Sequence, residues 1–287
     1  MRRIASRTWF AAALRGGLDA LQIAVILLFA GYLLSFADHA RQIFGFAFPL
    51  DYGEGPLVAQ VDQLRAGTPI WQLYADPGVS PFLIVNYPPV YLLLTAALAT
   101  LFDSTLFAGR LIAFLSTLAI VAALIRLASD LPPGPRRPPS PLAPPSSPGS
   151  RFVVLRFRFS VFSALLFLTV PIVREWSALM RVDLLGIALG LWALVALRRG
   201  GVRASALGGA LIVASMCTKP SLLAAPLAAG GWLLWRVWRA AASERRAILR
   251  DLLVFGGIVA LGGALVVGGL QWASGGWFWL HVVAANA

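Results

Sequence analysis

Apolar runs recur along the chain at about residues 18–37, 106–128, 157–173, 184–198, 203–217, 221–237 and 252–271. Each approaches the roughly 17–25 residues that a helix needs to cross a bilayer. The pattern predicts an all-α, polytopic membrane protein with about seven transmembrane helices. A further stretch, Pro89 to Phe102, is only fourteen residues long, a length that suits an interfacial or re-entrant helix. Between the first two spans, Leu57, Val58, Val61 and Leu64 fall at helical spacing, which predicts an amphipathic helix over Glu54–Arg65 closed by Gly67-Thr68-Pro69. Asp51 is expected to cap that helix, with Glu54 completing a loose capping box. Trp71, Tyr74 and the run Asn86-Tyr87-Pro88-Pro89-Val90-Tyr91 are expected to lie at headgroup level.

Two other segments read clearly. Residues 131–149 hold nine prolines and predict an extended, solvated linker, part of a proline-rich loop over 129–156. The last span carries glycine pairs at 256–257, 262–263 and 268–269, which predict close helix–helix approach there. Residues 18–36 are too apolar for too long to be a signal peptide's h-region, and no small-x-small site follows, so they read as a retained first helix.

Composition agrees. Hydrophobic residues make up 59% of the chain and charged ones 13%, with mean hydropathy +0.79, against roughly 25% charged residues in soluble domains. Cys217 stands alone, so no intrachain disulfide forms and no thiolate metal cluster is suggested. The net charge of +12 resides in short arginine runs between spans. That arrangement fits lipid anchoring and a topology signal, and argues against nucleic acid as a partner.

The charges also choose a topology. If residues 89–102 do not cross, the N-terminus and the loops near 129–156, 198–203 and 236–251 share one face. That face holds 18 of the 24 basic residues, and the other holds eight of the twelve acids. The positive-inside rule then places the N-terminus in the cytoplasm of a multi-pass cell-membrane protein and the 38–105 loop outside. The chain is expected to form a single transmembrane domain over 1–287. It stops shortly after Trp277, Phe278, Trp279 and His281, which raises the expectation of a truncated member of its family.

Candidate chemistry concentrates in the outer loop. Asp51-Tyr52-Gly53-Glu54-Gly55 puts two carboxylates three positions apart, suited to general-base work or to a divalent metal. Helix capping is the competing explanation for both. Arg181 and Asp183 flank the start of a span, and Lys219, the only lysine, lies in an outer hairpin, where it is a candidate phosphate ligand. Tyr87 and His281 complete the candidates for substrate binding. No P-loop, dinucleotide fingerprint or metal-ligand spacing is present.

The order of these motifs resembles the GT-C superfamily of glycosyltransferases. Those that carry it are Asp51-Tyr52-Gly53-Glu54-Gly55, Gly67-Thr68-Pro69-Ile70-Trp71, Tyr87-Pro88-Pro89-Val90-Tyr91, Gly109-Arg110 and Arg181-Val182-Asp183. The chain is most similar to the bacterial branch near family 39, the protein O-mannosyltransferases and the aminoarabinose and galacturonic acid transferases. Each motif is weak alone; their order over residues 20–285 is more specific. The resemblance implies an inverting transfer of a sugar from a polyprenyl-phosphate donor to an extracytoplasmic lipid or cell-envelope glycan acceptor. It also implies an acidic first-loop residue as base, Asp51 first and Glu54 as the alternative, with basic side chains or a divalent metal ion as cofactor to compensate the leaving phosphate. In the commoner family pattern Asp and Glu are adjacent, whereas Gly53 precedes Glu54 here. Two other classes compete: a transporter or lipid-carrier translocase, and a non-catalytic membrane assembly protein.

Overall fold

The computed structural model describes residues 2–79, 84–129 and 160–286. Among them every regular element is a helix, and no strand occurs. Residues 130–156 of the expected proline-rich linker lie outside the described residues. The chain divides into two compact units, Met1–Phe46 and Ala47–Ala287. The first is one continuous helix, α1 (Arg2–Gly45), whose Ile23–Gly45 portion is long and apolar enough to span a membrane. It runs on to Gly45 instead of ending near residue 37. The Asp38 carboxylate accepts hydrogen bonds from Arg41 and Gln42 one turn ahead, and no helix breaker intervenes.

The second unit begins with α2 (Glu54–Arg65), a 3-10 turn at Ile70–Tyr74 and α3 (Pro89–Phe102). α4 (Thr105–Ser129), α5 (Ser160–Thr169), α6 (Pro171–Trp176), α7 (Asp183–Leu197) and α8 (Val202–Met216) follow. α9 (Ala224–Arg239), α10 (Ala242–Ala273) and α11 (Phe278–Val282) complete it. α2 and α3 form over the residues that their periodicity marks out. The stretch expected to be one span at 157–173 is broken instead. Pro171 has no N–H to donate and pushes Val170 out of the helical region (φ −66°, ψ 122°), so α5 ends and α6 starts afresh.

Among the described residues, three helices are long and apolar enough to cross a bilayer: Ile23–Gly45, Thr105–Ser129 and Ala242–Ala273. α3, α5, α7 and α8 are shorter apolar helices. At 1.5 Å per residue, α7 and α8 reach about 22 Å, less than the roughly 30 Å of a hydrocarbon core. α10 shows large apolar side chains outward: Leu253, Leu261 and Leu265 are 64–75% exposed. Apolar surface on that scale needs lipid to cover it. The protein is a helical membrane protein.

Of the six glycines in the α10 pairs, one makes a close helix–helix approach within this chain. A Cβ built on Gly256, Gly257, Gly263, Gly268 or Gly269 meets nothing within 4 Å, and only Gly262 approaches a neighbour, Val213 of α8.

Ion pairs and hydrogen bonds fix which helix ends lie together. Lys219, after α8, pairs with Asp183 at the start of α7, and the Val90 N–H of α3 donates to the Cys217 carbonyl at 3.1 Å. At the other end of α7, Arg198 donates to the Leu127 carbonyl near the end of α4, and Gly201 donates to Asp251 of α10. α4, α7 and α9 therefore run away from the acidic turn, while α8 and α10 return towards it. α3 is tied to both neighbours: its Tyr91 hydroxyl donates to the Gly109 carbonyl of α4, and Arg65 of α2 pairs with Asp103 in the turn after α3. Asp103 adopts the left-handed region (φ 47°) to make that turn.

Beneath the acidic turn lies a core built from short elements. Leu57 and Val61 of α2 pack with Leu73, Tyr74, Tyr91, Leu92, Ile112, Met180, Val182 and Phe278. A second core joins α7, α8, α9 and α10 around Ala193, Leu197, Ile212, Leu233 and Phe255. The first positions the site; the second holds the bundle behind it.

Candidate functional site

The acidic turn between α1 and α2 is held by two carboxylate–arginine pairs. Glu54, at the start of α2, is completely buried. Its Oε1 accepts from Arg110 Nε at 3.0 Å and from the Met180 N–H at 2.8 Å. Its Oε2 accepts from Arg110 Nη2 at 2.9 Å and from the Leu50 N–H at 2.7 Å. Arg110 also donates to the Phe48 carbonyl and is itself 1% exposed. Burial raises the Glu54 pKa, but hydrogen bonds from Arg110, Met180 and Leu50 outweigh it and hold the carboxyl below its ordinary value. A carboxylate with both oxygens doubly engaged in this way joins three segments of chain and has no room to take a substrate proton.

The helix is capped differently from expectation. Gly53 occupies the N-cap position. Asp51 Oδ2 accepts from the Gly53 N–H at 2.9 Å and the Asp51 carbonyl from the Glu54 N–H. Glu54 reaches back to Leu50, one residue before the residue a capping box would use. The displacement follows from Arg110, which fixes the Glu54 carboxylate from the far side.

Asp51 has more freedom. Its side chain is 19% exposed, and Oδ2 pairs with Arg181 Nη2. Oδ1 has no protein partner among the described residues. The Arg181 guanidinium is stacked over the Trp176 ring (4.8 Å) and the Tyr52 ring (5.2 Å). Its Nε is buried without a hydrogen-bond partner among the described residues, an energetically costly state for a donor. Gly53 makes this approach possible: a Cβ there would stand 2.9 Å from Arg181 Nη1. Its backbone is ordinary (φ −81°), so space, not conformation, calls for glycine.

Two residues further on, Asp183 Oδ1 pairs with Lys219 Nζ, and the ammonium sits 5.9 Å from the Tyr87 ring centroid. The structure thus brings Asp51, Arg181, Asp183, Lys219 and Tyr87 together at one end of the second unit. Behind Lys219 and Tyr87 opens an apolar cavity of about 240 Å³, lined in part by Pro88, Val213, Cys217, Pro220, Val266 and Phe278.

His281 is not with them. It is fully buried; Nδ1 accepts from the Val85 N–H at 3.0 Å and Nε2 lies 2.7 Å from the Ala75 carbonyl. The first contact makes Nδ1 the acceptor, so Nε2 carries the proton and donates. His281 ties α11 to the loop between the 3-10 turn and α3, beside the Tyr74–Phe278 ring contact.

A divalent metal does not fit this donor set. Both Glu54 oxygens are saturated, Arg110 and Arg181 bring positive charge against both carboxylates, and no group of three potential ligands occurs among the described residues.

Three participants escaped the sequence reading: Arg110 as the partner of Glu54, and Trp176 and Tyr52 as the faces holding Arg181. Arg110 could have been found. It lies in the second turn of an apolar span, where a lone guanidinium demands a carboxylate, although the sequence does not say which. The aromatic faces left no signal, since nothing in the chain distinguishes Trp176 from the other nine tryptophans.

No protein-family model matches the chain, nor does any curated protein or solved structure.

Proposed function

We propose that the protein is a membrane glycosyltransferase of the GT-C type, moving a sugar from a polyprenyl-phosphate donor to an extracytoplasmic acceptor. The observation that carries this reading is the Asp51–Arg181 pair. It sets a partly exposed carboxylate against a guanidinium whose Nε is buried and unpartnered, and two residues beyond Arg181 the chain holds a second cation, Lys219, through Asp183. A base beside two cations is the arrangement that an acid–base displacement with a phosphate leaving group requires. In this reading Asp51 takes the proton of the acceptor hydroxyl. The new C–O bond forms at the anomeric carbon as the bond to the phosphate oxygen breaks on the opposite face, so configuration inverts. Arg181 and Lys219 receive the charge that develops on the lipid phosphate. Tyr87 and Asp183 hold Lys219, and the apolar cavity behind them suits the first isoprenyl units.

The topology proposed with it has about seven crossings, the N-terminus in the cytoplasm and residues from the acidic turn to Asp103 outside, in the cell membrane. Arginines gather at the far end of α7, α9 and α10, and α3 packs against α2 through Tyr91 and Leu92 on Leu57 and Val61; both support it.

The test is transfer from a radiolabelled polyprenyl-phosphate sugar by the purified full-length chain. Asp51→Asn is expected to lower the rate by about 10²–10⁴-fold with unchanged thermal stability. Full activity in that variant overturns the assignment of Asp51. Donor binding without turnover by the unaltered protein favours the carrier or assembly classes.

A further inference from the structure

The end of the bundle away from Asp51 holds a second cavity, of about 280 Å³, at the turn from α7 to α8. Its lining is Ala196, Arg199, Gly200, Arg203, Ala204 and Leu207. Gly200 and Gly201 make the turn with positive φ (68° and 86°), and the Gly201 N–H is fixed by Asp251 Oδ2 at 2.8 Å. Asp251 is buried on the α10 side and is not part of the lining. Arg198 is turned away to the Leu127 carbonyl. Arg199 and Arg203 are exposed, and neither makes an ion pair or side-chain hydrogen bond among the described residues.

Two cations facing one cavity repel each other unless an anion lies between them. No acid lines the cavity, and Asp251 beside the turn is buried and engaged with the Gly201 N–H. The cavity also has a direction. Arg203 and Leu207 are one helical turn apart on the same face of α8, so a charged mouth grades into an apolar wall, with Leu207 50% exposed. Nearby, at the end of α9, Arg236 stacks on Trp232, and Arg239 lies over Trp235 and Trp238. Such an arginine–tryptophan belt marks the headgroup level of a bilayer.

We propose that this cavity binds an anionic phospholipid, its phosphate between Arg199 and Arg203 and its first acyl methylenes along Ala204 and Leu207. The site is independent of the transfer reading and stands whether or not the protein moves a sugar.

Native mass spectrometry and thermal-shift titration of the detergent-solubilised full chain with phosphatidylglycerol test it. Each arginine is expected to contribute about fivefold to the affinity, so Arg199→Gln with Arg203→Gln weakens binding about 25-fold. Arg245→Gln with Arg246→Gln, at the same end but outside the cavity, is expected to change it less than twofold. Phosphatidylcholine and inorganic phosphate are expected to give no saturable shift. Should the first pair not fold, Arg203→Gln alone is read for its fivefold loss. Unchanged affinity in the cavity variants, equal losses in both pairs, or saturation by inorganic phosphate each overturns the proposal. The first removes the site, the second makes it diffuse surface charge, and the third makes it a free-anion site.

Discussion

Three residues apart, Glu54 and Asp51 are both carboxylates paired with arginine, yet the fold uses them in opposite ways. Glu54 and Arg110 are both fully enclosed, and the glutamate takes two backbone N–H groups as well. Asp51 is partly open against a buried Arg181, one aspartate oxygen is left over, and the guanidinium lies over two rings with its Nε unsatisfied. A closed, satisfied pair stabilises an arrangement. An open, under-satisfied pair is poised for something else to complete it. Type and spacing of residues do not separate these two roles; burial and hydrogen-bond count do.

The largest effect should come from breaking the closed pair. Glu54→Ala leaves a buried guanidinium and two backbone donors without partners, a loss of about 3–5 kcal/mol. Little folded protein should accumulate. Cys217 is a single buried thiol, so labelling with a thiol-reactive fluorophore on heating reads the loss directly. Replacing Arg110 as well, with Met, should recover only part of it, because Leu50 and Met180 still lack their acceptor. Complete recovery would show that the backbone bonds contribute nothing.

Acid should act on the same pair. The Glu54 carboxyl has its pKa lowered in the folded chain, so folding favours its ionised form. The stability it contributes is fully present above the unfolded value of about 4.3. It is lost as the pH falls through the lower folded value. The melting temperature of the native protein should therefore drop below about pH 4, and the drop should be shallower in Glu54→Gln. Parallel profiles for the two proteins would remove Glu54 from the acid transition.

Much of this arrangement was legible in the sequence, for identifiable reasons. α2 and α3 follow from periodicity and from Pro and Gly at their ends, which are local signals. Asp51, Arg181, Asp183 and Lys219 stood out because charge is scarce in an apolar chain, and Tyr87 because it sits in an aromatic and proline-rich run. His281 misled through scarcity too: rarity marked it, but two backbone partners from distant loops gave it a structural role. The break at Pro171 was visible in principle and was overridden by the apolar run around it. The α10 glycine pairs were read by type alone, whereas which face of the helix they occupy is a tertiary fact. Glu54 and Asp51 could not be ranked, since burial of one member of a short acidic turn depends on Arg110 and Met180, 56 and 126 residues away.

Smaller steric changes probe each pair without removing a charge. A Cβ on Gly109 would stand 2.3 Å from Met180 Cγ, beneath the N–H that Glu54 accepts. Gly109→Ala should cost about 1–3 kcal/mol through overpacking, felt in stability, with transfer activity falling only in proportion to folded protein.

Gly53→Ala is the finest test, because its Cβ meets the open pair: 2.9 Å from Arg181 Nη1 and 3.1 Å from Asp51 Oδ2. The guanidinium can swing aside, and Gly53 has a backbone conformation that alanine adopts freely. Stability should therefore change by less than about 0.5 kcal/mol. If Asp51 and Arg181 act on substrate, a displacement of this size should still lower transfer about tenfold, since catalytic geometry tolerates little misplacement. Loss of transfer at constant melting temperature assigns the open pair to function. Loss of both together would make Asp51–Arg181 a second structural lock, and the contrast with Glu54–Arg110 would disappear.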